Sequence, residues 1–170
     1  MSAPRWTFTP EPVGSPVARA LWRDYYTEVG DRWHRLHEGR STPPDDLARG
    51  IAAERGTHLD PPSGALLIAR YDGRPAGTAG VHLIEPGVAE MQRVYLAPDV
   101  RGRGGAALLV AAAEDAAREL GAARLVLDTR SDLVEARALY ARLGYAETAP
   151  YNDHRYAEHW FAKHLTDRDR

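Results

Sequence analysis

A glycine-rich segment in the second half of the chain constrains the fold more than any other feature. It reads Leu96-Ala-Pro-Asp-Val-Arg101-Gly-Arg-Gly-Gly-Ala-Ala107, between the apolar stretch 91–96 and an alanine- and leucine-rich stretch typical of a helix. A strand that turns into a helix through glycines leaves several backbone N–H groups without acceptors, next to the positive end of the helix dipole. Arg101 and Arg103 add positive charge there. The segment therefore predicts a binding site for a phosphate or pyrophosphate.

The glycines of this segment favour a ligand site over a simple surface turn. Gly102, Gly104 and Gly105 carry no side chain, so a phosphate could approach the backbone closely. A turn that only reverses the chain would not need three glycines and two arginines in five residues directly before a helix. The segment also matches a dinucleotide-binding fingerprint, Gly102-x-Gly104-x-x-Ala107, with Asp128 near the place of that motif's ribose-binding acid. Dinucleotide binding is therefore an alternative.

A second motif follows one strand–helix–strand unit later. It reads Glu135-Ala136-Arg-Ala-Leu139-Tyr140-Ala-Arg-Leu143-Gly144-Tyr145. Together the two stretches resemble the GCN5-related N-acetyltransferase (GNAT) superfamily. Its first motif, Arg/Gln-x-x-Gly-x-Gly/Ala, matches Arg101-x-x-Gly104-x-Ala106, and its second, Ala-x-x-Leu-Tyr-x-x-x-Gly-Phe/Tyr, matches Ala136 to Tyr145. The resemblance covers residues 65–165.

The composition is that of an ordinary globular domain. The 170 residues are 44% hydrophobic and 27% charged, and the formal net charge of −2 gives no overall attraction to nucleic acid. The absence of cysteine excludes disulfides, thiolate metal sites and a cysteine nucleophile. No apolar run reaches the length of a membrane span, and the first residues lack the apolar core of a signal peptide. We expect one cytoplasmic domain, 1–170, without nucleic-acid or membrane partners, and leave a homodimer open.

The hydrophobic pattern predicts an α+β, or mixed α/β, fold. The predicted strands are 5–9, 65–71, 75–84, 88–96, 124–127, 145–148 and 156–165, and the predicted helices are 15–36, 42–56, 105–120 and 132–144. A capping box, Asp132-x-x-Glu135, is expected to start the last helix. The resemblance implies the same order, as a mostly antiparallel twisted sheet of six to seven strands flanked by about four helices. It also implies that the helices within 15–56 form the wall of the acceptor site.

The tyrosine of the second motif is a candidate catalytic acid. The resemblance places Tyr140 near the sulfur of acetyl-CoA, where it would protonate the departing thiolate. A phenol suits this task because it is neutral and a proton donor at pH 7. Its spacing from Leu133, Ala136 and Leu143 is equally that of a tyrosine in the core. The family often has a cofactor-binding asparagine seven residues before this tyrosine, and Leu133 replaces it here.

The strand before the glycine-rich segment carries the second candidate, Glu90. Many GNAT members have a general-base glutamate eleven residues before the first motif, and Glu90 lies eleven residues before Arg101. An amine is mostly ammonium at pH 7 and must lose a proton before it attacks a thioester. The alternative is an exposed strand glutamate without a catalytic role.

The resemblance also implies how acetyl-CoA would be held. The backbone of Val94-Tyr95-Leu96 would pair with the pantetheine amide and help polarise the thioester carbonyl. The pyrophosphate would bind to a run of seven residues, Arg101, Gly102, Arg103, Gly104, Gly105, Ala106 and Ala107.

The acceptor is predicted only as a class, a small-molecule or peptide amine. The resemblance places Tyr26, Trp33 and His34 of the first helix where they could face it, although core packing explains the same residues. His82, on the strand before Glu90, is a further candidate for the acceptor site and equally fits a half-buried strand residue. His34-x-x-His37 has a spacing that could hold zinc, but no further ligands complete the set, so no metal is expected. The expected function is acetyl transfer from acetyl-CoA to a primary amine. The alternatives are a non-catalytic acyl-CoA-binding or regulatory domain and the dinucleotide-binding domain.

Overall fold

Seven strands and four α-helices make up residues 5–166, the part of the chain that a computed structural model describes. The strands are β1 (Trp6–Pro10), β2 (Gly64–Tyr71), β3 (Arg74–Glu85), β4 (Val88–Leu96), β5 (Arg124–Thr129), β6 (Ala146–Thr148) and β7 (His159–His164). The helices are α1 (Pro16–Glu38), α2 (Pro44–Ala53), α3 (Gly105–Glu119) and α4 (Val134–Arg142). Every predicted element is present, with boundaries within three residues of the predicted ones.

Short local signals fix the ends of these elements. The Ser15 hydroxyl caps α1 by accepting a hydrogen bond from the N–H of Ala18 at 3.1 Å. Gly39, with a φ of 69°, ends the same helix. Asp72 and Gly73 both adopt positive φ between β2 and β3, as a tight hairpin requires. These boundaries depend on neighbouring residues alone, which is why the sequence predicts them.

The strands form one mixed sheet in the order β1-β2-β3-β4-β5-β7-β6. All neighbouring strands are antiparallel except β4 and β5, which are parallel. The expected α+β fold with a mostly antiparallel sheet is confirmed. A dinucleotide-binding fold is built on a mostly parallel sheet, so that alternative does not fit this topology.

Hydrophobic cores cover both faces of the sheet. On β2, Leu67 and Ala69 join the larger core with α3 and α4, whereas Leu66 and Ile68 join the smaller core with α1. The split follows from the strand itself, because alternate residues point to opposite faces. Among the described helices, none has the length and apolar character needed to cross a membrane.

The parallel strands β4 and β5 separate soon after they start. Their pairing joins only residues 88–90 with 124–126. A register shift between β3 and β4 accompanies the positive φ of 56° at Arg93, and such a bulge bends the strand. Beyond Glu90 this edge of β4 has no partner strand in the described chain, so the sheet opens between β4 and β5. The glycine-rich segment after β4 and the start of α4 after β5 lie at the same end of this opening.

The start of α4 differs from the prediction. Leu133 is the N-cap, and no side chain caps the helix. Asp132 instead accepts two hydrogen bonds from Arg130, at 2.9 Å each. Glu135 pairs with Arg32 of α1. The predicted capping box is therefore wrong, because guanidinium groups bind both carboxylates more strongly than a backbone N–H would.

The last strand also differs, since β7 begins at His159 rather than at residue 156. Residues 149–158 form an irregular loop before it. Two side chains of this 149–158 loop, Asn152 and His154, bind to Asp128 on β5 instead of extending the sheet. The loop is thereby fixed over the end of β5.

Close packing at the start of α3 gives a stability prediction. A Cβ on Gly105 would lie 2.3 Å from the Trp6 ring, and the Trp6 indole donates a hydrogen bond to the Arg103 carbonyl at 3.0 Å. We expect Gly105→Ala to cost roughly 1–3 kcal/mol in the free energy of unfolding, measured by urea denaturation, because the ring must move. In the control Gly50→Ala the new Cβ meets nothing within 4 Å, and we expect no loss. Equal midpoints for the two variants would contradict the packing argument.

Candidate active site

The glycine-rich segment forms a turn with free amides. Gly102 and Gly104 adopt φ of 78° and 77°, and Gly104 is the N-cap of α3 without a side-chain hydrogen bond. Within residues 5–166, the N–H groups of residues 102–104 donate to no acceptor. They lie beside the positive end of the α3 dipole, where an anion is favoured. The geometry is that expected for a phosphate-binding turn.

The three glycines of the turn have different roles. A Cβ on Gly102 or Gly104 would meet nothing within 4 Å, so the space beside both residues is open. Gly105 is covered by the Trp6 ring instead. Two of the three glycines therefore fit the predicted approach of a phosphate, and Gly105 is required by packing.

The two arginines of the turn are already engaged. The Arg101 guanidinium donates to both Glu28 oxygens at 2.8 Å, and its Nε donates to the Leu96 carbonyl at 2.9 Å. Arg103 donates to the Tyr71 hydroxyl at 3.3 Å and lies over the Tyr71 ring. Arg101 thus links the turn to α1, a contact that the sequence did not predict. A bound phosphate would compete with Glu28 for this guanidinium.

Tyr140 lies in the core, as its spacing predicts. The residue is 6% exposed, and its ring packs near the rings of Tyr145 and Phe161, with centroids 5.7 and 6.2 Å away. Its hydroxyl has no hydrogen-bond partner in the described part of the chain. Burial raises the pKa of Tyr140, and nearby Tyr25 raises it further. The phenol therefore stays protonated at neutral pH, as a proton donor must.

Glu90 is buried, so the alternative of an exposed strand glutamate is wrong. Its carboxylate accepts hydrogen bonds from His82 at 3.0 Å, Tyr151 at 2.7 Å and Asn152 at 3.3 Å, and a further one from Gln92. Burial acts to raise the pKa of Glu90, but the hydrogen bonds from His82 and Tyr151 and the nearby imidazoles bring it below its usual value. Glu90 is thus an ionised carboxylate inside a polar network.

The network continues through Asn152 to a second carboxylate. The Asn152 amide nitrogen also donates to Asp128 at 2.8 Å, and Nδ1 of His154 lies 2.8 Å from the same carboxylate oxygen. The Trp160 indole donates to the Asn152 side-chain oxygen at 2.9 Å, which fixes the orientation of the amide. The sequence does not indicate a role for Asn152, His154 or Trp160 in the site, and it indicates one for Asp128 only in the dinucleotide alternative. The only signal in the sequence was a polar turn, Pro150-Tyr-Asn-Asp, between two short strands.

A cavity of about 770 Å³ lies beside this network. Its wall comes from α1, α2, β4, the end of β5 and the 149–158 loop, and it includes Tyr25, Gln92, Asp128, Leu133 and His154. The wall is aromatic on the α1 side and polar on the side of the sheet. The cavity therefore offers an organic molecule both ring contacts and hydrogen-bonding groups.

Three of the four predicted acceptor residues line this cavity, namely Tyr26, Trp33 and His34. His82 does not line it, because its ring packs edge-on against His58 at 4.6 Å and its Nε2 is bound to Glu90. The structure thus places His82 within the network, and its contact with an acceptor stays a prediction.

In residues 5–166, no further metal-ligating side chain joins His34 and His37, the pair with a spacing that could hold zinc. Nδ1 of His34 and Nδ1 of His37 each bond at 2.9 Å to a backbone carbonyl one turn earlier in α1. Elsewhere in residues 5–166, ligand atoms of Glu90, Asp128 and His154 lie within 4.8 Å of one another. The Asn152 amide donates to both of these carboxylates, so the three side chains belong to a hydrogen-bond network.

Comparison with known proteins agrees with this architecture. Residues 16–145 match the model of the acetyltransferase (GNAT) family. The mostly antiparallel sheet that opens between β4 and β5 and the free amides before α3 define the same class. The chain belongs to the GNAT acetyltransferase family.

Individual relatives are similar over part of their length. YjgM of Escherichia coli, an uncharacterised N-acetyltransferase, is 34% identical over 111 residues, which are 56% of this chain and 66% of YjgM. The IAA acetyltransferase of Azospirillum brasilense is 31% identical over 94 residues, which are 55% of this chain and 61% of that protein. The chain thus matches about two thirds or less of the length of these curated relatives.

Solved structures are similar over nearly the whole chain. A structure from Klebsiella pneumoniae described as an acyl-CoA N-acyltransferase has a TM-score of 0.69 and 27% identity, over 95% of this chain and 98% of its own. YncA of Salmonella typhimurium, solved with acetyl-CoA, has a TM-score of 0.63 and 17% identity, over 97% of this chain and 96% of its own. The second likeness shows the fold alone.

The turn gives a prediction about cofactor affinity. We expect Gly104→Val to weaken acetyl-CoA binding sharply in calorimetry, because a β-branched residue resists positive φ and fills the open space beside the amides. Gly87→Val is the matched control, since Gly87 has a φ of 79°, the same open surroundings and a place in the turn between β3 and β4. The control should share the backbone strain and keep the affinity. Equal affinities in both variants would exclude the turn as the binding site.

The lowered pKa of Glu90 gives a prediction about acid stability. The Glu90 carboxyl group binds a proton less readily in the folded state than in the unfolded state. The ionised carboxylate therefore stabilises the fold at pH values above its ordinary pKa of about 4.3. That contribution is lost as the pH falls through the lower pKa of the folded state. We expect Glu90→Gln to be less stable than wild type at pH 7 and to depend less on pH between about 5 and 2. Urea midpoints across this range test it, with the exposed Glu119→Gln as the control.

Proposed function

We propose that this chain is an N-acetyltransferase that transfers the acetyl group of acetyl-CoA directly to a primary amine. The observation that carries the proposal is the opening between β4 and β5, with free amides of the turn at its end and the cavity beside it. The free amides and the unpaired edge of β4 support a donor site, and the cavity supports an acceptor site beside it.

The donor half is built from backbone groups. The pyrophosphate of acetyl-CoA would bind to the amides of residues 102–104 and to the first turn of α3, which includes Ala106 and Ala107. The pantetheine would pair with Val94, Tyr95 and Leu96, because this edge of β4 has no partner strand among the described residues. Backbone amides of the same strand end could then polarise the thioester carbonyl. Arg101 and Arg103 would add charge at the phosphates.

The reaction needs one proton to be removed and another to be supplied. An acceptor ammonium would lose a proton to the polar network of Glu90 before its nitrogen attacks the thioester carbonyl. The C–S bond then breaks, and Tyr140 protonates the thiolate of coenzyme A. Each turnover converts one ammonium and one thioester into an amide, a thiol and one released proton.

Leu133 favours one alternative, a domain that binds acyl-CoA without turnover. This residue lies on the cavity wall at the place where many family members carry a cofactor-binding asparagine. It removes one polar contact and leaves the other parts of the site in place. Only turnover separates the two functions.

We also propose a cytoplasmic location and a small-molecule or peptide amine as acceptor. Acetyl-CoA is available inside cells, which supports the location. The cavity of about 770 Å³ is large enough for a drug-sized molecule or a peptide end. Its aromatic wall on α1 supports an organic acceptor with an apolar part.

The function is tested by binding and turnover together. A thermal-shift comparison should show stabilisation by acetyl-CoA and none by NAD or ATP, because only a ligand that binds the folded state raises the melting temperature. A panel of primary amines, with released thiol as the readout, should then identify at least one acceptor. Binding without turnover of any amine would favour the non-catalytic alternative.

Tyr140→Phe tests the catalytic acid. The phenyl ring keeps its contacts with Tyr145 and Phe161, so folding and acetyl-CoA affinity should stay near wild type. We expect the single-turnover rate to fall about a hundredfold or more, the usual contribution of general-acid catalysis. The control is Tyr145→Phe, which removes a hydrogen bond to Glu114 and should lower stability rather than rate. A Tyr140→Phe variant that loses stability but keeps its rate would assign Tyr140 to the core.

A further inference from the structure

We propose that His154 is the general base of the acetyl transfer and that Asp128 positions it. The inference rests on the proposed N-acetyltransferase function and names the atom that takes the proton from the acceptor. The family resemblance implies this role for Glu90. The structure instead places a histidine between the polar network and the cavity.

His154 is within reach of a molecule in the cavity. Its side chain is 49% exposed and forms part of the cavity wall. The side chain of Glu90 is 5% exposed and lies outside that wall. A base must come within hydrogen-bond distance of the proton it removes, so His154 has the access that Glu90 lacks.

The hydrogen bonds of the network fix which nitrogen of His154 is free. The Asn152 amide nitrogen lies 2.8 Å from an Asp128 oxygen, 3.2 Å from Nδ1 of His154 and 3.3 Å from a Glu90 oxygen. Nδ1 of His154 lies closer to the Asp128 carboxylate oxygen, at 2.8 Å, and because a carboxylate oxygen only accepts, Nδ1 carries the hydrogen. In the neutral ring Nε2 then carries no hydrogen and can accept one. Within the described chain Nε2 has no partner.

Other histidines of the cavity are less suited to this role. Nε2 of His58 donates to the Gln92 carbonyl oxygen at 2.7 Å, which orients the Gln92 amide toward Glu90. His34 is held through Nδ1 by the Gly30 carbonyl. In the described residues neither ring is hydrogen-bonded to a carboxylate. A carboxylate partner matters because it stabilises the imidazolium that forms when the base accepts a proton.

The charged surroundings of His154 come from several elements. They are Glu90 on β4, Asp128 on β5, Arg130 directly after β5, Tyr151 and Arg155 on its own loop, and His34 across the cavity on α1. Arg130 is bound to Asp132 and to the Val29 carbonyl. The two carboxylates of the network therefore face the imidazole most directly, and Glu90 acts as a positioning residue through Asn152.

The proton balance of the step is simple. The acceptor ammonium transfers one proton to Nε2 of His154, and the neutral nitrogen forms a bond to the thioester carbon. The C–S bond breaks, and the sulfur takes the hydroxyl proton of Tyr140. The nitrogen that now carries the acetyl group gives its second proton to the Tyr140 oxygen. The imidazolium then releases its proton to solvent, which gives one proton for each acetyl group transferred.

The test compares His154→Ala with His164→Ala, an exposed histidine on β7 outside the cavity wall. Calorimetry should show wild-type affinity for acetyl-CoA in both variants. With an amine from the panel that wild type acetylates, the single-turnover rate of His154→Ala should fall about a hundredfold or more. Added imidazole should restore part of that rate. An aromatic amine, already neutral at pH 7, should lose less rate than an alkylamine.

Positioning by Asp128 has a separate readout. In wild type, the ¹⁵N NMR shifts of the His154 ring should show hydrogen on Nδ1 and none on Nε2. Asp128→Asn should reduce the preference for hydrogen on Nδ1. It should also shift the pH range over which kcat/KM rises, while acetyl-CoA affinity stays unchanged. His154→Gln serves as a second variant, since its polar side chain preserves the exposed loop surface.

The outcomes separate this proposal from the function on which it rests. If wild type binds acetyl-CoA but acetylates no amine, the N-acetyltransferase function fails, and the base fails with it. If wild type acetylates an amine and both His154 variants keep its rate, only the base assignment is overturned. An Nε2–H tautomer in wild type would overturn it as well.

Discussion

The short parallel pairing of β4 and β5 is the constraint on which the site depends. Three residues of each strand pair, and then β4 bends at Arg93. Several contacts hold the bend. The Arg93 guanidinium lies 4.2 Å from the centre of the Trp22 ring and bonds to Glu54 at 3.1 Å, and the Thr78 hydroxyl donates to the Arg93 carbonyl at 2.8 Å. Without this bend the two strands would continue as neighbours, and the edge of β4 would not be free.

Helix α1 connects the two sides of the opening. Glu28 binds Arg101 in the turn before α3, and Arg32 binds Glu135 at the start of α4. Single surface ion pairs contribute little to stability, but these two hold one helix to both sides of the same gap. The helix that carries Tyr26 and Trp33 is thus tied to the proposed donor site. A phosphate that competes with Glu28 for Arg101 would therefore also act on α1, which forms part of the acceptor wall.

The proposed donor half of the site is built from consecutive residues, whereas the acceptor half is not. The turn, the strand before it and the helix after it are consecutive residues, so their relation is set by local geometry. Gly105 differs from the other two glycines because the Trp6 ring covers it, and its contact with a phosphate stays a prediction. Trp6 is distant from Gly105 in the chain, and no local sequence pattern shows that its ring packs against this glycine.

The sequence by itself determined the element order, most ends of the helices and hairpins, and the glycine turn before α3, because these depend on residues within a few positions of one another. Only the tertiary structure decided the polar network beside the cavity. Glu90, Asp128 and His154 come from two strands and a loop that are far apart in sequence. Burial removes water from their carboxylates, and the charges then require hydrogen-bond donors that only the folded chain brings near.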